Sequence, residues 1–254
     1  KRGAAELDSW RARFSVKEKF RADLVTEADL ASQKVVKDTL LAAFPDHLFL
    51  GEEECVGKSP EDTRPPADAP FVWVVDPLDG TANYVHDVPA YCVSIGLWAA
   101  GTPAVGVIHD PRMKEVFTAA TGLGAFLNGQ PMRVSAVPTV ADAMLSTGFP
   151  ANYTKQLTNL QTWTKLTAHA QSLRRTGSTA LNLAYVAAGR YDGYWAHDNY
   201  PWDVLAGAAL ILEAGGTLST IDGLAFDPFR PDILASNGHF HAEILGVIMG
   251  PKPA

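Results

Sequence analysis

Cysteine is scarce: the 254 residues hold two, Cys55 and Cys92, far apart and in no CxxC spacing. That excludes a disulfide framework and a zinc ribbon, and it fits two buried thiols in a reducing compartment. Positive charge is also short. Lys plus Arg number 21 against 28 Asp plus Glu, a net charge of -7, with no Lys/Arg cluster. Nucleic acid and anionic membrane are therefore poor partners. The longest uncharged stretch, 88–108, is broken by Pro89, Gly96, Gly101, Pro103 and Gly106. It reads as two buried strands around a Gly-Thr-Pro turn rather than a membrane span. No signal peptide is visible, and a cytoplasmic location is expected. There is no Walker A run, no GxGxxG opening a helix after the first strand, no HExxH and no GxSxG. His239-x-His241 reads as an exposed pair.

What is present is ordinary globular material, 47% apolar and 19% charged. This excludes disorder and coiled coil as the main state, and it supports a core that needs no disulfide. An acidic chain that binds an anion needs more than bulk charge to attract it. A metal ion held by carboxylates supplies that attraction.

The pattern predicts an amphipathic helix from the start to about Val16. Thr26 follows as an N-cap, with Asp29 in the capping-box position and a helix running to Phe44 before Pro45. Leu48-Phe49-Leu50 is a short strand that leads into Gly51-Glu52-Glu53-Glu54. The segment from Lys58 to Pro70 is polar, holds four prolines and reads as a mobile loop. Phe71-Val72-Trp73-Val74-Val75 is apolar on both faces and reads as a buried strand. Strands and turns are expected from Tyr91 to Val134, with Asn128-Gly129 as a hairpin turn. The second half alternates: strands at 143–147, 191–195, 218–220 and 233–235, and helices at 153–170, 179–188, 201–214 and 241–249. The expected organisation is an α+β half over 1–136 that carries a metal site. An α/β half over 137–254 completes it, the two forming one compact unit.

The chemistry concentrates in Asp76-Pro77-Leu78-Asp79-Gly80-Thr81, directly after the buried strand. Two carboxylates three residues apart at a strand mouth repel each other unless a cation lies between them. Pro77 stiffens the turn, and Gly80 allows close backbone approach to a phosphate. Carboxylates and a carbonyl suit Mg²⁺. Taken alone, the same residues equally make an ordinary turn. Glu52 and Glu53 fit either an acidic loop or a ligand pair, and Asp203 fits either a helix start or a ligand. Asp29 with Thr81 could orient and deprotonate a water, or Asp29 could only close its capping box; both roles are compatible. Gly177-Ser178-Thr179 opens a helix, where free amides can hold an anion or where Ser178 simply caps.

Val25-Thr26-Glu27-Ala28-Asp29, Gly51-Glu52-Glu53, Asp76-Pro77-Leu78-Asp79-Gly80-Thr81 and Trp202-Asp203-Val204-Leu205-Ala206-Gly207 occur in that order. Together they resemble the inositol monophosphatase family. The resemblance covers residues 5–249 and extends to Leu183–Gly189 and Glu213-Ala214-Gly215-Gly216. It implies a Mg²⁺-dependent, lithium-sensitive phosphomonoesterase with a layered αβαβα fold of the α+β class, as a homodimer. Carried over by position, it implies Glu52, Asp76, the Leu78 carbonyl, Asp79 and Asp203 as ligands of two or three Mg²⁺. Glu53 would support Glu52. Asp29, Thr81 and Glu52 would be catalytic. Leu78, Asp79, Gly80, Thr81, Gly177, Ser178, Thr179 and Asp203 would face the substrate.

The implied substrate is a small phosphate ester, with inositol-1-phosphate as the family default and histidinol phosphate or another sugar phosphate as the alternative. In one respect the chain departs from the family. Seven residues before Asp203, where these enzymes usually carry a Glu that contacts an inositol hydroxyl, stands Ala196. His197 or Asp198 would then make that contact, or the substrate is a different ester. A haloacid-dehalogenase phosphatase is excluded, because two residues rather than one separate the aspartates. The reading from another class is a phosphate-binding regulatory protein without catalysis.

Overall fold

The computed structural model describes residues 1–20, 23–150 and 153–250. Helix α1 (Arg2–Trp10) is followed by a hairpin of β1 (Val16–Phe20) and β2 (Asp23–Thr26). The expected first helix therefore ends six residues early. In Val16-Lys17-Glu18-Lys19-Phe20 the two lysines stand two apart, which puts Lys17 and Lys19 on one face of β1. Helix α2 (Glu27–Ala43) starts at the Thr26 cap and stops before Pro45.

Next come β3 (Leu48–Gly51), β4 (Phe71–Asp79), the short α3 (Thr81–Val85), β5 (Cys92–Ala99), β6 (Thr102–Asp110), β7 (Glu115–Ala120), β8 (Gly124–Leu127) and β9 (Gln130–Met132). They form a seven-stranded sheet in the order β3-β4-β5-β6-β7-β8-β9, with β3 parallel to β4 and the remaining pairs antiparallel. Asn128 and Gly129 both have positive φ, as the tight hairpin turn between β8 and β9 demands.

The rest of the chain gives β10 (Met144–Thr147), α4 (Tyr153–Thr167), β11 (Ser172–Arg174), α5 (Thr179–Ala187), β12 (Gly193–Ala196), α6 (Pro201–Glu213), β13 (Thr217–Ser219), β14 (Ile233–Ser236) and α7 (His241–Met249). The five-stranded sheet runs β11-β10-β12-β14-β13. Its edge strand β11 is only three residues long and was not expected from the sequence.

Burial sorts these elements into layers. Residues of α1 and α2 pack with β4 and β5 on one face of the large sheet. Helices α5 and α6 pack between the two sheets. Helices α4 and α7 cover the outer face of the small sheet. The result is the αβαβα sandwich. Helix α6 is apolar almost all round, with Val204 through Ile211 buried, as a central helix must be. It lies directly on the large sheet: a Cβ on Gly106 would stand 2.3 Å from the Ala206 carbonyl oxygen. Among the described residues no helix is long and apolar enough to cross a membrane.

The 58–70 loop is more firmly held than its composition suggests. Thr63 is buried, Arg64 pairs with Asp227 and stacks over Phe229, and Tyr200 donates to the Lys58 carbonyl at 3.1 Å.

Candidate active site

The end of β4 carries the two aspartates. Along a regular strand, positions three apart point to opposite faces. Here the register slips. Asp76 pairs with Ser94 but Asp79 pairs with Cys92, so three steps on β4 oppose two on β5. That one-residue bulge returns both carboxylates to the same side. Both are buried, as is Leu78 between them. Gly80 then takes φ +94°, and a Cβ there would lie 2.8 Å from the Ala90 carbonyl oxygen, so only glycine fits.

Each carboxylate is held by protein donors. Asp76 Oδ1 accepts the Leu78 N–H at 2.9 Å. Asp203, in the first turn of α6, accepts the Tyr200 N–H at 2.7 Å. Asp79 accepts the Ser178 hydroxyl, the Ala180 N–H at 2.8 Å, the Thr179 N–H at 3.2 Å and the Cys92 thiol at 3.7 Å. Glu52 Oε1 and Glu53 Oε1 accept the Lys19 ammonium at 2.8 and 2.7 Å.

Burial and mutual repulsion dominate the electrostatics. Burial pushes the Asp76 carboxyl well above its usual range, and the charges of Glu52, Asp79 and Asp203 add to it. Asp203 is raised in the same way, by burial and then by Asp79, Glu52 and Asp198. Burial carries Asp79 up to about 6 against the pull of Ser178 and the α5 amides. Glu53 rises to about 7 through burial and its neighbour Glu52, with Lys19 opposing. Burial by itself would lower the Lys19 ammonium, but Glu52 and Glu53 more than offset it and raise its pKa.

Glu52, Asp76, Asp79 and Asp203 therefore share one field, and the Lys19 ammonium offsets it at Glu52. An all-oxygen set of acids that repel one another in a dry site fits a hard divalent cation. In this arrangement the acids lean on protein donors, and among the described residues no three His, Cys, Asp or Glu side chains close into a cage.

Beside them, Asp29 has two tasks. Its Oδ2 accepts the Thr26 N–H at 2.8 Å and the Thr26 hydroxyl at 2.6 Å, closing the capping box of α2. Its Oδ1 faces the Thr81 hydroxyl at 3.1 Å, which also lies 3.0 Å from the Leu78 carbonyl. Burial raises the Asp29 carboxyl to about 6, against the pull of its Thr26 hydrogen bonds. The pair can orient a polar hydrogen and accept a proton near neutral pH.

On the opposite wall, Gly177 sits against Asn83, whose amide donates to the Thr176 carbonyl at 2.9 Å and to the Ala90 carbonyl at 2.6 Å. The amides that open α5 are not free: the anion they hold is Asp79. Ser178 both caps α5, through the Leu181 N–H at 3.3 Å, and donates to Asp79.

Ala196 and Tyr194 face the α5–α6 layer. The Tyr194 hydroxyl lies 3.0 Å from the Thr179 hydroxyl. His197 does not take up a place beside Ala196; its Nε2 lies 3.3 Å from the Thr162 hydroxyl on α4. Asp198, at φ +66°, is close enough to influence Asp203.

Sequence reasoning missed Lys19, Cys92 and Tyr194. Only the cross-strand register exposes Cys92, and nothing local in the sequence marks the other two.

The sequence model described as "Inositol monophosphatase family" matches residues 3–249. The chain is 41% identical over 244 residues to an inositol-1-monophosphatase of a Synechocystis species, covering 95% of this chain and 83% of that protein. It is 43% identical over 243 residues to the Nus factor SuhB of Pseudomonas aeruginosa, covering 94% and 88%. Among solved structures it is similar to an IMPase/NADP phosphatase complexed with Mg²⁺ and phosphate. The TM-score is 0.84 at 25% identity, covering 98% of this chain and 91% of that one.

Proposed function

The chain belongs to the inositol monophosphatase family and is a phosphatase of phosphate monoesters; from that premise we propose that it is a Mg²⁺-dependent hydrolase of a small polyol or sugar phosphate, with inositol-1-phosphate first among its substrates. The observation that carries this reading is the clustered set of buried Asp76 and Asp79 with half-buried Asp203 and Glu52, standing beside the Thr81–Asp29 pair.

In this reading Glu52, Asp76, the Leu78 carbonyl, Asp79 and Asp203 hold two or three Mg²⁺. Bound Mg²⁺ supplies positive charge to the phosphate and acidifies a water. Thr81 orients the attacking water and Asp29 receives its proton through the 3.1 Å contact. The backbone amides of Gly80 and Thr81 steady the phosphate, and Gly177 and Thr179 border the leaving group. Ser178 stands behind Asp79.

The family resemblance further supports lithium sensitivity, a homodimer and a cytoplasmic location. At the leaving-group end, Ala196 offers a methyl group where the family default has an acid, so histidinol phosphate or another sugar phosphate is the alternative substrate. The second reading is a phosphate-binding regulator without catalysis. It draws on the relative named as a Nus factor. The intact acids and the Thr81–Asp29 pair favour catalysis.

Phosphate release from a panel tests the proposal: inositol-1-phosphate, histidinol phosphate, fructose-1,6-bisphosphate, glycerol-2-phosphate and adenosine 3',5'-bisphosphate, with and without Mg²⁺ and with added lithium. Mg²⁺-dependent preference for inositol-1-phosphate is expected. Preference for another ester assigns specificity to the Ala196 region. No release from any of them, with Mg²⁺ still bound, establishes the regulatory reading.

A further inference from the structure

Resting on the metal reading above, we infer that Cys92 and Ser178 are positioning residues for Asp79, binding its Oδ2 so that Oδ1 is the oxygen turned to the cation. The four donors to Asp79 divide unequally. Oδ2 takes the Ser178 hydroxyl, the Ala180 N–H at 2.8 Å and the Cys92 thiol at 3.7 Å. Among the described residues Oδ1 takes only the Thr179 N–H at 3.2 Å. A carboxylate oxygen offers about two lone-pair directions. Three donors therefore saturate Oδ2, and Oδ1 keeps a lone pair.

The direction of the Ser178 proton is settled by its partner. An ionised carboxylate only accepts, so the Ser178 hydroxyl donates to Asp79, while its Oγ accepts the Leu181 N–H at 3.3 Å. Cys92 reaches the same oxygen because it is the cross-strand partner of Asp79 beyond the bulge. Its sulfur also lies 3.9 Å from Ser178 Oγ, so the two donors reach the oxygen side by side. Cys92 and Ser178 are at most 1% exposed, so both donors come to the oxygen from the protein interior. A thiol is a weak donor, so its share is smaller than that of Ser178. At zero exposure Cys92 is out of reach of oxidants and electrophiles, which leaves positioning as its chemistry.

Isothermal titration calorimetry with Mg²⁺ on the full chain, paired with metal-free melting temperatures, tests this. Partners that orient a metal ligand are worth roughly 10–100-fold in metal affinity. Ser178→Ala should lose affinity on that scale, and Cys92→Ala should lose less in the same direction. Ser178→Thr and Cys92→Ser keep a hydroxyl donor and should bind Mg²⁺ nearly as the wild type does. If Ser178→Ala does not fold, the Cys92 pair decides. Alanine variants that melt earlier yet bind Mg²⁺ normally would show that both residues only pack, which overturns the inference. A wild type that binds no Mg²⁺ overturns the metal reading itself, and this inference falls with it.

Discussion

The Thr81 hydroxyl lies 3.1 Å from Asp29 Oδ1, joining a residue just after the large sheet's β4 to the first turn of α2 across 52 positions of sequence. The same carboxylate holds Thr26 through its other oxygen. Cap and catalysis are thus separable by choice of residue. Thr26→Ala removes the cap and should cost about 1 kcal/mol of stability, seen as a lower melting temperature, with turnover kept within a few-fold. Equal losses of turnover in Thr26→Ala and Thr81→Ala would show that the two oxygens of Asp29 do not divide the work.

Lys19 is the counter-ion built into the site. Its side chain and that of Glu53 are both nearly buried, so their ion pair is poorly screened. Lys19→Met leaves Glu52 and Glu53 facing each other without a cation. The metal-free variant should melt earlier than the wild type, and Mg²⁺ should raise its melting temperature by more than it raises that of the wild type. Differential scanning calorimetry in EDTA and in Mg²⁺ measures both. An unchanged Mg²⁺ gain would place Lys19 outside the metal site.

Metal removal should also set a pH dependence. Asp79 and Asp29 are raised to about 6 and Glu53 to about 7, with burial as the leading cause. Asp76 and Asp203 are raised as well. The folded metal-free protein therefore binds protons more tightly than the unfolded chain does. The stability this contributes is complete below about pH 4, the unfolded carboxylate range, and is lost as pH rises through 6 to 7. In EDTA the contribution of these acids to the melting temperature should fall between about pH 4 and 7. Saturating Mg²⁺ should cancel the fall, so the Mg²⁺ gain grows with pH. A gain independent of pH would mean that the metal does not displace protons from these acids.

Gly80 sits between Asp79 and Thr81 at φ +94°, with the Ala90 carbonyl closing off its side-chain direction. Gly80→Ala should cost about 1–3 kcal/mol for the strained backbone, with a further cost for the clash. Melting temperature and turnover should fall together, because the shift moves both neighbours. A stable variant with normal turnover would contradict the geometry given to this turn.

The parts of the fold and site that can be read along the chain share a physical reason: each is specified locally. The β4 run is apolar on both faces, Asn128-Gly129 demands a positive-φ turn, and Pro201 with Asp203 marks the start of α6. The β1–β2 hairpin was missed because its strands span only five and four residues, too few for a period of two to stand out. Two contacts could not be read at all. Lys19 meets Glu52 across 33 positions, and Ser178 meets Asp79 across 99. Their pairing depends on how a hairpin folds over an acidic turn and how α5 docks on β4, and no local pattern encodes either. The α5 amides illustrate the same limit. Their sequence fits an anion site or a plain cap, and in the fold Ser178 caps α5 while the Thr179 and Ala180 amides hold the protein's own Asp79.

The measurement that tests the central claim most directly is phosphate release from inositol-1-phosphate by the wild type and Thr81→Ala, with and without Mg²⁺, alongside Mg²⁺ binding by calorimetry. The wild type should turn over only with Mg²⁺. Thr81→Ala should bind Mg²⁺ like the wild type and lose roughly 10²–10⁴-fold in maximal rate, the scale of a proton-transfer group. Wild-type turnover without metal, or a Thr81→Ala enzyme whose defect is chiefly in Mg²⁺ affinity, would contradict it.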